Sequence, residues 1–226
     1  MMMSKKTEVL QAAVRLFAEK GFAATGIREL GSAAGLNSAT LYHYAGGKNE
    51  LLSSIMRECL EALLAAGRDA VGESSDPVDQ LARLVAAHVG FSAENPLTGR
   101  VTDQEMRALD ADSYSELVAL RDDYESMFST VINRGIHTGA FEVFDPHLLR
   151  LALLEMLNGV AHWYRPNGRL SCREVQRRFV EYAGRLVGIE HTAWSQFDPE
   201  PPVALGIEPP RAVPEVTSQA RRRITA

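Results

Sequence analysis

The stretch 27–52, IRELGSAAGLNSATLYHYAGGKNELL, holds the residues of this 226-residue chain whose types and spacing could do chemistry. Ser38, Ala39 and Thr40 are short, so a backbone bearing them can approach a partner closely. Tyr42, His43 and Tyr44 add hydroxyl and ring donors, and Lys48 follows with a positive charge. Such a set suits a nucleic-acid duplex. Small side chains let a helix enter the major groove, Ala39 or the Thr40 methyl can meet a thymine methyl, and hydroxyls, amides and a lysine bind the sugar-phosphate rail. The elements that must present these residues are also legible. Ile27, Leu30 and Ala34 recur at helical spacing, Gly35 breaks that helix, and Asn37-Ser38 offers an N-cap to a second helix from about Ala39 to Tyr44. Leu41 is the inward residue of the second helix, with Leu36 and the apolar face of the first for company. A helix–glycine–helix pattern by itself also describes an ordinary helical hairpin with exposed tyrosines.

The pattern continues beyond the turn. Thr25, Ile27, Arg28, Leu30, Ala33-Ala34-Gly35, Ser38, Thr40-Leu41-Tyr42-His43-Tyr44, Lys48 and Glu50-Leu51-Leu52 resemble the DNA-binding signature of the tetracycline-repressor (TetR) family of bacterial regulators. The resemblance implies that Thr25 and Arg28 approach the DNA backbone, that Ser38, Ala39, Thr40, Tyr42 and Tyr44 face the groove, and that Lys48 binds a phosphate; His43, outward on the same helix, is expected among the DNA contacts. Two positions depart from the family pattern. Ala45 stands where the family usually has a phenylalanine that packs under the domain, and removing a phenyl ring from a small core costs about 3–5 kcal/mol unless something fills the space. Gly46-Gly47 replaces the commoner Pro-Ser or Ser-Ser, which is expected to leave Lys48 less firmly aimed.

Composition sets the wider frame. With 46% hydrophobic and 23% charged residues the chain can build one or two compact domains. No apolar run is long enough for a membrane span, since even LRLALLEMLNGVAHWY is interrupted by Glu155 and Asn158, and MMMSKK leads into an amphipathic helix instead of a signal-peptide core. Cys59 and Cys172 are the only cysteines and lack metal-type spacing, so a reducing, cytoplasmic setting is expected. The formal charge of −5 looks wrong for a polyanion binder. Residues 1–52, however, carry six basic side chains against four acidic ones, net +2, leaving −7 for the rest. A mildly basic head on an acidic body favours docking through one face. The sequence has no P-loop, dinucleotide fingerprint, metal spacing or nucleophile elbow, so neither an enzyme nor a cofactor is expected.

Strand signals are nearly absent, and the expected fold is all-α: an N-terminal three-helix helix-turn-helix DNA-binding domain (1–52) and a C-terminal helical effector-binding and dimerisation bundle (53–190). A first helix over Ser4–Lys20 precedes the motif. Later helices are expected near 49–70, 77–93, 102–111, 113–138, 146–164 and 171–188. The 146–164 helix is apolar almost all round and needs burial on two sides. One side suits its own subunit and the other a second copy, with Leu153 and Phe179 at the contact, and a homodimer is expected because two heads read both halves of a palindromic operator. The single-subunit alternative is a central helix of a monomeric bundle. Six of the ten prolines fall after residue 198, and 191–226, ending in Arg221-Arg222-Arg223, reads as an extended or disordered tail.

In the sensing half, Trp163-Tyr164-Arg165-Pro166-Asn167-Gly168-Arg169-Leu170-Ser171 is similar to the WYRPxGRLS segment of TetR members that respond to fatty-acyl or steroid-derived coenzyme A thioesters. In itself the segment is a helix end, a Pro-Gly turn and a capping box of Ser171 with Glu174. A small-molecule effector, an acyl-coenzyme A among the candidates, would want an apolar lining such as Val89, Phe91, Met127, Phe128 and Leu157. Arginines such as Arg121 and Arg165 would serve its phosphates, and Trp163 or Tyr164 its adenine. The same apolar residues equally describe a plain core. The expected function is a ligand-responsive transcriptional regulator, foremost a repressor released from its operator. The rival is an all-α ligand-binding or scaffold protein with weakened DNA binding.

Overall fold

The Ser4 Oγ accepts the Thr7 amide at 3.1 Å and opens α1, which runs Lys5–Lys20 until Gly21 ends it at φ 82°. A computed structural model describes residues 4–189, 194 and 197–211, and among them there are helices and no strand. The motif itself is α2 (Ile27–Ala33) and α3 (Ser38–Ala45), with Asn37 Oδ1 accepting the Thr40 amide at 2.8 Å. Gly46 at φ 67° and Gly47 at φ 145° carry the chain into α4 (Lys48–Gly72), and both conformations would strain a side chain. α5 (Pro77–Glu94), α6 (Pro96–Gln104), a short 3-10 turn (Met106–Ala108), α7 (Ala111–His137), α8 (Pro146–Asn158), α9 (Val160–Trp163) and α10 (Cys172–Leu186) follow. The expected capping box is present: Glu174 Oε2 accepts the Ser171 amide at 2.7 Å while Ser171 Oγ accepts that of Glu174 at 3.3 Å.

Two helices differ from expectation. The one placed at 102–111 instead starts at Pro96, whose fixed φ suits a first helical position, and ends before Asp110, whose carboxylate takes the Ser113 amide at 2.9 Å to begin α7. The one expected over 146–164 is divided at Gly159 into α8 and α9. Asn158 and Gly159 are both weak helix formers.

Packing does not respect a border at residue 52. The head core of Val14, Phe17, Leu30, Leu41 and Leu52 continues through Ile55, Met56 and Leu60 and takes in Val101, Met106, Leu117 and Ile207 from the body. α4, 25 residues and about 37 Å long at 1.5 Å per residue, crosses that border unbroken. A second core lies around Leu84, Val85, Val89, Phe128, Ile132, Leu157 and Val180.

The expected free tail is a strap over its described length, 197–211. The Glu208 carboxylate accepts the amides of Leu97 (3.0 Å) and Thr98 (2.9 Å) and the Thr98 hydroxyl (2.6 Å), capping α6. Asn95 takes the Leu205 amide at 2.7 Å and donates to Val203 O at 2.8 Å, while Gln11 of α1 donates to Gly206 O at 2.8 Å. Asp198 pairs with Arg173 and Arg177 of α10 at 2.9 and 3.0 Å. Periodicity is blind to such a segment, because polar and main-chain bonds hold it instead of an apolar stripe. Arg221–Arg223 lie outside the described residues.

A hollow of 240 Å³ opens at Ala45, bordered by Val9, Leu10, Tyr44 and Leu51. It lies beside the position at which the resemblance leads one to expect a phenylalanine. Replacing Ala45 with Phe is expected to stabilise the protein by about 1 kcal/mol, seen as a higher melting temperature by circular dichroism. An unchanged or lower value would show that the hollow cannot take the ring.

Candidate nucleic-acid interface and effector cavity

On α3 Leu41 is buried and Ala45 packs partly buried against the same core, while the remaining side chains are wholly or partly exposed. Tyr42 is 54% exposed; Ala39, His43 and Tyr44 are exposed and Ser38 and Thr40 partly so, with Arg28 exposed on α2. The His43 and Tyr44 rings meet edge to face at 5.6 Å. Thr25 and Lys48 are placed differently. Thr25 is 2% exposed and its hydroxyl donates to Gly21 O at 2.8 Å. The Lys48 ammonium donates to the carbonyls of Phe22 (2.6 Å) and Thr25 (2.9 Å) and stands 4.0 Å from the Phe22 ring centroid. The glycine pair therefore does not leave Lys48 loosely aimed. The ammonium is directed inward, where charge-assisted bonds and a cation–π contact tie the α1–α2 turn to the start of α4.

Behind the head, α4, α5, α6, α7 and α8 enclose a cavity of 450 Å³. Of the side chains expected to line a ligand site, Phe91 and Arg121 do so. Val89, Phe128 and Leu157 are wholly core, and Met127 packs against Gly67 of α4. Tyr164 is buried outside the cavity, Trp163 lies half exposed and stacked on Phe179 at 6.1 Å, and the Arg165 guanidinium donates to Tyr164 O at 2.8 Å. Helical spacing marks which residues face inward but not which of them border a void.

The polar lining escaped the sequence reading, because His88, Tyr124 and Asn158 are far apart in the chain and form no motif. His88 Nε2 lies 2.9 Å from Asn158 Oδ1, and Nδ1 lies 3.0 Å from the Tyr124 hydroxyl. With Asn158 Oδ1 accepting, Nε2 carries the proton and Nδ1 accepts from Tyr124. Burial, partly offset by the Asn158 bond, pushes the His88 pKa down to about 4, so the ring is neutral at pH 7. Asp103 borders the cavity and keeps an exposed edge, and desolvation by the groups packed around its carboxyl, followed by the nearby Glu155, raises it to about 6 against the pull of Arg121. Glu125 is paired with Arg150 at 2.9 Å and with Arg121 at 3.7 Å. Burial pushes the Cys59 thiol up to about 12, which leaves it a packing group in the cavity wall. Among the described residues no helix is long and apolar enough to cross a membrane, and no cluster of metal-ligating side chains occurs.

Two family models match the chain: bacterial regulatory proteins of the tetR family over residues 9–55, and the tetracyclin repressor-like C-terminal domain over residues 74–187. The chain belongs to the TetR family. It is thus a helix-turn-helix, DNA-binding regulator of transcription, in a family of regulators and not of enzymes. It is similar to the HTH-type transcriptional repressor KstR2 of Mycobacterium tuberculosis, 29% identical over 181 residues that cover 78% of this chain and 90% of that protein. A TetR-family regulatory protein from Rhodococcus RHA1 superposes with a TM-score of 0.77 at 28% identity, covering 84% of this chain and 100% of that one. AibR, solved in complex with isovaleryl coenzyme A and operator DNA, shares the fold at TM-score 0.72 and 20% identity, covering 83% and 100%. Neither family model reaches the strap.

A depressed histidine pKa makes this TetR regulator's stability depend on pH. The unfolded ring titrates near 6.5 and the folded one near 4, so between these values the unfolded chain binds more protons. Stability from His88 is complete above pH 6.5 and is lost as pH falls toward 4, on the order of 3 kcal/mol in all. In a His88→Gln variant the melting temperature should fall less steeply over that window than in the parent chain; parallel curves would remove His88 as a cause.

Proposed function

We propose that this TetR regulator is a repressor that binds a two-fold symmetric operator as a homodimer and is released when an amphipathic effector enters the 450 Å³ cavity. One observation carries the reading. α4 begins at the Lys48 junction beside α3 and runs unbroken to Cys59, Leu60 and Leu63 in the cavity wall. A ligand pressing on that wall re-tilts a rigid helix, so the two reading helices no longer match the half-site spacing, and operator affinity falls by the coupling free energy. Arg28, Ser38, Ala39, Thr40, Tyr42, His43 and Tyr44 form the reading face, while Thr25 and Lys48 set its position.

The dimer reading rests on exposed apolar side chains: Leu148 and Leu151 on α8, Tyr182 and Leu186 on α10, and Trp163 beside them. Leu153, expected at such a contact, is 1% exposed within its own subunit's core, and Phe179 is buried as well. Apolar residues gathered on two helices fit an isologous contact with a second copy.

For the effector we favour an acyl-coenzyme A. Ala161 and His162 line the cavity and lead directly into the Trp163–Ser171 segment. That continuity suits an acyl group inside and a nucleotide outside near Arg165 and Arg169, and AibR's complex with isovaleryl coenzyme A gives a precedent within the fold. A second reading has its own observation. Asp103 and Glu155 in the lining disfavour an anionic group within the cavity and fit a compact uncharged effector instead.

Fluorescence anisotropy with the DNA upstream of the chain's own gene tests the DNA reading. A folded Thr40→Glu variant should lose operator binding. A Leu151→Glu, Tyr182→Glu variant should become monomeric by light scattering and lose affinity with it. Full affinity in either folded variant, or a monomeric parent chain at micromolar concentration, overturns the corresponding part.

Thermal shift distinguishes the effectors. A ligand at a hundred times its dissociation constant adds about 2.7 kcal/mol to the native state. Medium or long acyl-coenzyme A thioesters should raise the melting temperature and release DNA. If only uncharged compounds do both, the coenzyme reading fails and the repressor reading stands.

A further inference from the structure

A second hollow, 180 Å³ in volume, lies further along α4 than the effector cavity. α4 gives Leu60 and Leu63 to the effector cavity and Ala66 and Ala70 to this one, and Phe91 of α5 borders both. α5 also gives Arg83, Ala86 and Ala87 and α10 gives Gln176, and the strap closes the hollow through Phe197, Asp198 and Glu200–Val203. No part of the strap falls within the residues matched by the family models, so the hollow is closed by this chain's own C-terminal segment. Gln176, buried on α10, fastens the wall by donating to Ala86 O at 3.0 Å and to Glu200 O at 3.4 Å.

Its chemistry is that of an acid-rimmed apolar slot. Ala66, Ala70, Ala86 and Ala87 supply small side chains that leave the room empty, and Phe91 and Phe197 also line it. An apolar cavity of ~150 Å³ holds benzene, so the space suits about one ring. Asp69, Glu73, Asp198 and Glu200 meet a single cation, Arg83, in the lining. Arg83 is already paired with Glu73 and Asp79, and Asp198 with Arg173 and Arg177. Asp69 and Glu200 make no salt bridge among the described residues, and although the charge of Glu200 also acts on Arg83, four carboxylates against one guanidinium leave the aromatic-lined rim net negative. That combination attracts an organic cation and repels an anion.

We propose that this strap-walled hollow binds a compact organic cation, an aromatic or alkyl ammonium of about one ring in size, at a site separate from the effector cavity. The ligand's ring lies on the alanine floor against Phe91 and Phe197, and its ammonium faces Asp69 and Glu200. Binding there adds contacts to the strap, whose Glu208 caps α6 and whose Gly206 carbonyl holds Gln11 of α1.

Calorimetric titration of the full chain with benzyltrimethylammonium tests the proposal, with benzyl alcohol and phenylacetate as the uncharged and anionic counterparts. The cation should bind saturably, the alcohol about fivefold more weakly or worse, and phenylacetate not at all. Asp69→Asn combined with Glu200→Gln should lower the cation's affinity by about fivefold, and Ala87→Trp should abolish binding by filling the floor. Asp69 and Glu200 are exposed, so the double variant decides the matter should Ala87→Trp fail to fold. Absence of saturable binding, equal binding of alcohol and cation, or undiminished binding in the folded double variant overturns it. None of these outcomes depends on operator binding or on the effector of the larger cavity.

Discussion

The Lys48 ammonium lies between the carbonyl oxygens of Phe22 and Thr25 and over the Phe22 ring, and the placement of the reading helix relative to the rest of the molecule depends on that contact. The carbonyls belong to the turn that positions α2, the ammonium belongs to the first residue of α4, and α3 lies between them in sequence. The contact adds to the shared core, in which Leu41 of α3 joins Leu51 and Leu52 of α4, and spans the two glycines with positive φ that separate the helices. The contact ties the first residue of α4 directly to that turn across the loop. Charge-assisted bonds from a half-buried ammonium are strong enough for this role, and they occupy a lysine that the resemblance alone would have sent to a phosphate.

The reading head was legible in the sequence because each of its signals is local. Asn37 caps, Leu41 anchors, Gly46 closes α3 and the exposed side chains lie between, all within one short stretch. The cavity was not legible for the opposite reason. His88, Tyr124 and Asn158 come from α5, α7 and α8, and their bond network exists only once three helices have packed. Val89, Phe128 and Leu157 have the same spacing as lining residues and are core, since a side chain one position away on a helix faces a different neighbour. A hollow lies beside Ala45, the position at which the sequence lacks the expected ring. The adjoining glycines were misread, because their effect on Lys48 depends on the Phe22 and Thr25 carbonyls across the domain.

The strap shows how a proline-rich, aperiodic segment can still be specified. Prolines remove amide donors and restrict φ, so an extended run loses less freedom on docking than an ordinary coil. What fixes its register is a small number of polar contacts: Glu208 on the α6 amides, Asn95 on Val203 and Leu205, Asp198 on Arg173 and Arg177. Together with the bond from Gln11 to Gly206 O, those contacts fasten the start of α6 to α1 of the head.

The shared core of head and body has an evolutionary and practical consequence. A head bounded at residue 52 would lose Ile55, Met56 and Leu60 of α4, Val101 and Met106 of the α6 region, Leu117 of α7 and Ile207 of the strap from the surface it needs. A chimera grafting residues 1–52 onto another regulator's body would therefore expose apolar area at the seam, and its two parts would lack a complementary joint. Recombination between relatives should tolerate crossovers better in the α4–α5 loop than within α4, provided that the α6, α7 and strap surfaces facing the head travel with it.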